Sequence, residues 1–294
     1  MSTPPHGSPL IDVERLLAVL GKPGWHLLDA RFDLADPAAG ERAWRLQRLP
    51  GAQYLDLDRD LSDHSQTATA GRHPLPSPEA LRHRLEQAGI GPRDRVVVYD
   101  AGTGALAAAR AWWLLRWIGV DHACVLDGGW AAWQAAGAPL EQGEPRRVAG
   151  RIDPLTEAAA WGEVQQAWCV DRLAVQSRHS DELLVDARSA ERFRGDVEPL
   201  DRRAGHIPGA SNRPWTDNLD GGRFKPAAEL AKEWQALLAG RDPARVILSC
   251  GSGVTACHHA LAMLQAGLPM PRLFAPSWSG WIADPQAPLA TGPD

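Results

Sequence analysis

A cysteine set among glycines where a strand gives way to a helix occupies a nucleophile's position. Cys250-Gly251-Ser252-Gly253-Val254-Thr255-Ala256 follows the apolar run Arg245 to Ser249 and opens a segment of helical composition from Val254 to Ala266. In a mostly parallel α/β sheet, ligands bind beyond the carboxyl ends of the strands, and a thiol facing backbone N–H groups at a helix N-terminus is favoured as thiolate. Gly251 and Gly253 let the backbone curl around the sulfur, so the loop suits a thiolate, a persulfide or the anionic part of a substrate. A phosphatase cradle would close with an arginine to clamp the phosphate dianion, and Ala256 stands in that place. Cys257, His258 and His259 follow on the same helix. Their spacing does not suit a ligand set, and adjacent histidines point to different sides of a helix, so they read as core and surface positions and no metal is expected.

The elements that position this loop occur twice. Leu27-Leu28-Asp29-Ala30-Arg31 returns as Leu184-Val185-Asp186-Ala187-Arg188, and Leu49-Pro50-Gly51-Ala52 returns as Ile207-Pro208-Gly209-Ala210, with order and spacing kept. Val96 to Asp100 then matches Val246 to Cys250, and Gly129-Trp130 is paired with Gly280-Trp281. The cysteine's place in the first copy is taken by Asp100, followed by Ala101-Gly102-Thr103-Gly104. The repeat explains that glycine pattern better than a dinucleotide loop does, and a carboxylate cannot act as a sulfur nucleophile, so only the second copy is expected to be catalytic.

Within each copy, short apolar runs alternate with helical segments, the pattern of a mostly parallel sheet covered by helices on both faces. Strands are expected at His26 to Asp29, Arg95 to Tyr99 and Ala123 to Leu126, then at Leu183 to Asp186, Arg245 to Ser249 and Leu273 to Ala275; helices at Ala105 to Ile118, Ala227 to Ala239 and Val254 to Ala266. Residues 1–138 are assigned to the first domain, 139–160 to a Pro- and Gly-rich linker and 161–294 to the second, with 1–8 and 286–294 as loose ends.

The 294 residues carry 31 Lys+Arg against 36 Asp+Glu, a formal charge of −5, which leaves no basic excess for a nucleic-acid footprint. No apolar run is long enough to span a membrane, and Met1 to Pro9 lacks the charged start and apolar stretch of a signal peptide, so a cytoplasmic protein is expected. Four cysteines are too sparse for a disulfide scaffold. The 13 Trp against 4 Phe and 2 Tyr point to indoles filling cores and clefts.

Taken in order, Asp186-Ala187-Arg188, Arg192-Phe193-Arg194-Gly195, Gly205-His206-Ile207-Pro208-Gly209-Ala210, the Cys250 loop and Ser277-Trp278-Ser279-Gly280-Trp281 resemble the two-domain rhodanese-like sulfurtransferases over nearly the whole chain. Cys250 to Thr255 looks like the active loop of the mercaptopyruvate sulfurtransferases; thiosulfate sulfurtransferases typically carry Arg-Lys in place of Gly251-Ser252. The resemblance implies two tandem rhodanese-like domains and a Cys250 persulfide that passes sulfur from 3-mercaptopyruvate to a thiol, a thioredoxin-like protein or cyanide, with no cofactor. It places the donor within the loop of Gly251, Ser252, Gly253, Val254 and Thr255, and gives its carboxylate to Arg192. Asp58 and His73, from the first copy, are implied to meet Ser252 for proton transfer, with His64 as a competitor of His73. The family's second substrate arginine meets Leu200 instead, leaving Arg202 or Arg203 to replace it. The competing readings are thiosulfate:cyanide transfer, disfavoured by a neutral Gly-Ser loop, and a non-catalytic sulfur carrier or regulatory module on the same scaffold.

Overall fold

The computed structural model describes residues 8–104, 107–144 and 160–293. They form two compact units. The first contains the residues up to Ser62 together with Pro76–Gln165; the second contains Asp63–Leu75 and the chain from Gln166 onward. His73, read from sequence as part of the first copy, therefore packs in the second unit, because its neighbours Gly71 and Arg72 lie against Pro276 and Ser279.

In the first unit the strands are β1 (Leu10–Ile11), β2 (Trp25–Asp29), β3 (Gln47–Arg48), β4 (Gln53–Tyr54), β5 (Arg95–Tyr99), β6 (Ala123–Leu126) and β7 (Glu141–Gln142). Five of them make a parallel sheet ordered β1-β6-β5-β2-β4, with β3 and β7 as a separate antiparallel pair. Val96, Val97 and Val98 are wholly buried, as expected of a central strand covered on both faces, and every residue of the helix Ala107–Trp117 is buried too.

The second unit has β8 (Leu183–Asp186), β9 (Ser211–Asn212), β10 (Leu219–Asp220), β11 (Arg223–Phe224), β12 (Val246–Ser249) and β13 (Arg272–Leu273). Its parallel sheet runs β13-β12-β8-β9, and a lone parallel bridge from Cys169 to Leu273 takes the place that β1 holds beside β6. The α/β class and the duplication are thus present in the main chain.

The repeat can be followed atom by atom. Asp29 and Asp186 end their strands beside Tyr99 and Ser249. Each binds the arginine two residues on, at 2.6 Å for Arg31 and 2.7 Å for Arg188. These arginines reach the carbonyls of Gln47 and Gly205 and lie over Trp130 and Trp278. The Leu-Pro-Gly-Ala and Ile-Pro-Gly-Ala segments are the same turn, closed from Ala52 N–H to Leu49 O and from Ala210 N–H to Ile207 O, with Gly51 and Gly209 at positive φ.

One pairing from the sequence is corrected. Trp130 N–H donates to Asp100 O as Trp278 N–H does to Cys250 O, and the indoles of Trp133 and Trp281 donate to Pro139 O and Pro288 O. Trp130 therefore matches Trp278 and Trp133 matches Trp281; Gly-Trp identity had shifted the register by one helical turn. The indoles close loops as well as filling the core.

Three further expectations change. Glu141–Gln142, inside the stretch read as linker, is a strand; residues 145–159 lie outside the described residues. The end of the chain is tied down, since Ala290 bridges to His206 and Ala287 is buried. His258 and His259 are both fully buried, and Asn218 Nδ2 bonds the Nδ1 of each, at 3.0 and 2.8 Å. An amide NH2 only donates, so both Nδ1 atoms accept and both rings are neutral, with His259 Nε2–H on Arg213 O at 2.7 Å.

Burial pulls His259 from 6.5 down to about 3, its backbone bond to Arg213 opposing and the Arg213 charge assisting. The unfolded chain takes up this proton near 6.5 and the folded chain only near 3, so this contribution is complete above that window and falls as pH drops through it, at a limiting slope of about 1.4 kcal/mol per pH unit. Urea unfolding from pH 7 to 4 should show a shallower loss in His259→Gln than in the parent chain; equal slopes would count against the buried neutral pair.

Candidate functional site

β12 delivers Cys250 to the carboxyl edge of the second sheet, where it is 1% exposed. Its main chain is held at both ends. The N–H donates to Ser277 Oγ at 3.1 Å, the carbonyl accepts Trp278 N–H at 3.0 Å, and Gly251 O accepts Ser279 N–H at 2.9 Å. Gly253 N–H points back at Cys250 Sγ, 3.2 Å away. A β-carbon at Gly253 would collide with the Ala275 carbonyl, and its φ of +77° disfavours any other residue, so glycine is what allows this N–H to reach the sulfur. Val254 is buried and Thr255 directly precedes the helix Ala256–Gln265, whose N-terminus adjoins the loop. Cys257 Sγ contacts Gly253 O at 3.4 Å from within the core. Burial pushes the Cys124 thiol up to about 12, leaving it almost no thiolate at neutral pH.

Ser277 supports the loop at a conformational cost. Its φ is +52°, unusual for a residue with a β-carbon, and it is wholly buried. The hydroxyl accepts the Cys250 N–H and donates to Phe274 O at 3.0 Å. Gly129 holds the matching place in the first copy with the same φ and no hydroxyl.

His73 Nδ1 lies 2.8 Å from Ser252 Oγ, both groups being buried. His64 is exposed, with its ring edge-on to His73. Asp58 is half-buried in the first unit, its N–H on Asp56 Oδ1.

Arg192 is drawn toward the loop by carboxylates. Glu198 takes its Nη2 at 2.7 Å and Nε at 3.3 Å, while Asp201 Oδ2 stands 3.5 Å from the same Nη2. Asp201 Oδ1 bonds Arg72 Nη1 at 2.8 Å, so one carboxylate spans two guanidiniums. A methyl built on Gly251 would lie 3.4 Å from Arg72 Nη2 and 3.6 and 3.7 Å from Arg192 Nη2 and Nη1. Burial raises the Asp201 carboxyl, with the Arg72 charge opposing and Glu198 reinforcing; burial also raises Glu198, but its bonds from Arg192 and Leu200 N–H outweigh this and lower it. Arg202 is exposed, Arg203 is spent on the carbonyls of Pro285 and Ala287, and Leu200 points outward.

The first copy keeps the loop and replaces the sulfur with a fixed anion. Asp100 Oδ1 accepts the N–H groups of Gly102 and Gly104 at 3.1 and 2.9 Å, the latter matching the Gly253 N–H on Cys250 Sγ.

The family profile described as Rhodanese-like domain matches residues 12–136 and 169–284. The chain belongs to the rhodanese-like family. Among rhodanese-like relatives, a Pseudomonas aeruginosa protein named as a 3-mercaptopyruvate sulfurtransferase is 45% identical over 287 residues, covering 96% of this chain and 98% of its own. A Mycobacterium tuberculosis protein named as a thiosulfate sulfurtransferase, SseB, is 40% identical over 270 residues, covering 90% of each. The crystal structure of the Escherichia coli 3-mercaptopyruvate sulfotransferase SseA superposes with a TM-score of 0.74 at 31% identity, covering 92% of this chain and 99% of its own.

The second rhodanese-like unit thus gathers Cys250, Gly251, Ser252, Gly253, Val254, Thr255, His73 and Arg192. Sequence reasoning missed Arg72, Glu198, Asp201 and Ser277. Arg72 adjoins His73 and could have been found from it; the φ of Ser277 had no signal except its place within a matched segment.

Ser277 offers a direct test. Ser277→Ala keeps the unfavourable φ and leaves the Cys250 N–H without its acceptor, at a cost of about 1–3 kcal/mol. Ser277→Gly loses the same bond but relieves the backbone, and should be more stable than Ser277→Ala by about 1 kcal/mol in denaturant unfolding. The reverse order would contradict the strain.

Proposed function

We propose that the chain is a sulfurtransferase that takes sulfur from 3-mercaptopyruvate onto Cys250. The observation that carries the reading is Cys250 Sγ receiving the Gly253 N–H in a glycine loop, with His73 on the loop's Ser252. The Cys250 thiolate attacks the donor sulfur, an S–S bond forms, and the C–S bond breaks with its electron pair passing to the pyruvate enolate. Ser252, coupled to His73, delivers a proton to that enolate, which leaves as pyruvate. An acceptor thiol or cyanide then removes the outer sulfur and returns the Cys250 thiolate. Arg192, with Nη1 toward Gly251, takes the donor carboxylate. The setting proposed is the reducing cytoplasm, which four cysteines outside any disulfide suit, with a thioredoxin-like protein among the acceptors; among the described residues no helix is long and apolar enough to cross a membrane.

Thiosulfate is kept as a second donor by one observation. The loop itself is neutral, but guanidinium nitrogens of Arg72 and Arg192 stand over Gly251 and supply N–H donors that suit a compact dianion. The distinction rests instead on the His73–Ser252 pair, which a leaving enolate uses and a leaving sulfite does not.

Donor alone should add one sulfur atom to the protein, located on Cys250 by intact mass and peptide analysis. Cys250→Ser should lose both adduct and turnover, whereas Cys257→Ser and Cys124→Ser should keep activity within about tenfold, or about 1.4 kcal/mol of barrier. Turnover in Cys250→Ser would end the reading.

In steady-state assays, wild type should prefer mercaptopyruvate over thiosulfate by about tenfold or more in kcat/KM. His73→Ala should lower mercaptopyruvate turnover far more than thiosulfate turnover, and Asp58→Asn in the same assay tests whether that carboxylate takes part. A preference for thiosulfate, with both donors equally affected by His73→Ala, would transfer the assignment to thiosulfate.

A further inference from the structure

The charged groups around Gly251 leave two guanidinium nitrogens without a partner among the described residues. Arg72 is held by its backbone N–H on Ser279 Oγ at 2.9 Å and by Nη1 on Asp201, while its Nε is buried with no partner among the described residues. Arg192 commits Nε and Nη2 to Glu198 and Asp201. What remains is Nη2 of Arg72 and Nη1 of Arg192, both within 4 Å of the same point above the Gly251 α-carbon. Like charges so close repel, and the Asp201 carboxylate that bridges them is the structural reason they stay together. Their free N–H groups converge on space kept open by the absence of a side chain at 251, one residue from the nucleophile. An ionised oxygen acid is the ligand such a pair recognises, each nitrogen supplying a charge-assisted hydrogen bond.

We infer that Arg72 is the second anion-binding arginine of the site, gripping the donor carboxylate together with Arg192, and that Asp201 positions both. The inference rests on the sulfurtransferase reading and adds to it. The arginine expected near position 200 is replaced from a different stretch of chain, the Asp63–Leu75 segment that packs within the second unit. Arg72 directly precedes His73, so one short segment supplies the carboxylate contact and the partner of Ser252. Arg72 contributes binding and orientation, and sulfur transfer itself remains with Cys250.

The test compares 3-mercaptopyruvate with mercaptoacetone, which keeps the carbonyl and the thiol but lacks the carboxylate. In Arg72→Ala, kcat/KM for mercaptopyruvate should fall 10- to 100-fold, mostly through KM, while that for mercaptoacetone changes less than about threefold. Arg192→Ala should do the same, and Arg72→Lys should recover only part of the loss because an ammonium lacks the planar fork. Pyruvate, as product inhibitor, should bind about tenfold more weakly to Arg72→Ala. An equal fall for both donors would make Arg72 a structural residue, and no fall for either would remove it from the site; both outcomes overturn the inference. Wild type that transfers sulfur from neither donor would refute the sulfurtransferase reading itself, a result distinct from the other two.

Discussion

The buried pair of Asp186 and Arg188 is the interaction on which the second unit's site depends. Arg188 binds both oxygens of Asp186 at the end of β8, reaches the Gly205 carbonyl and Glu198, and lies over the Trp278 ring. Each contact leads to the site. Glu198 orients Arg192 and accepts the N–H groups of Leu200 and Asp201, shaping the turn that presents the bridging carboxylate. Trp278 donates to the Cys250 carbonyl, and its indole N–H holds Arg203 O. Removing one partner of such a pair strands a charge in the core at about 3–5 kcal/mol, and here the loss would reach the Cys250 loop and the arginine beside it.

The two copies solve one electrostatic problem in two ways. A strand-to-helix loop that turns N–H groups inward needs an anion. In the first copy the Asp100 carboxylate accepts two of them. In the second the matching N–H faces the Cys250 sulfur. The same fold thus yields a loop closed on its own carboxylate in one unit and a loop around a thiol in the other, with no change in sheet order around it.

What the sequence disclosed was whatever depends on neighbours along the chain: the strand before Cys250, the glycines after it, the Asp-x-Arg repeat and the Pro-Gly turns. His73 and Arg192 were legible by resemblance, and the structure brings both to the loop. Hidden were the groups joined only by folding. Arg72 and Asp201 are 129 positions apart and meet through a side-chain ion pair that leaves no periodic trace. The Trp register slipped because glycine recurs beside tryptophan for different reasons in the two copies. His258 and His259 were split between core and surface by helical geometry, yet Asn218 allows both to be buried by binding the two rings at once.

Ser277 bears on the history of the duplication. Gly129 and Ser277 share a left-handed backbone, yet only the serine carries the hydroxyl that receives the Cys250 N–H. Replacing Asp100 by cysteine in the first copy would supply a thiol without that hydroxyl and would remove the carboxylate that accepts the Gly104 N–H. Giving the first loop the same groups takes at least two coordinated substitutions, the second of which, Gly129 to serine, is destabilising on its own. Divergence of the two loops is therefore easier to enter than to leave.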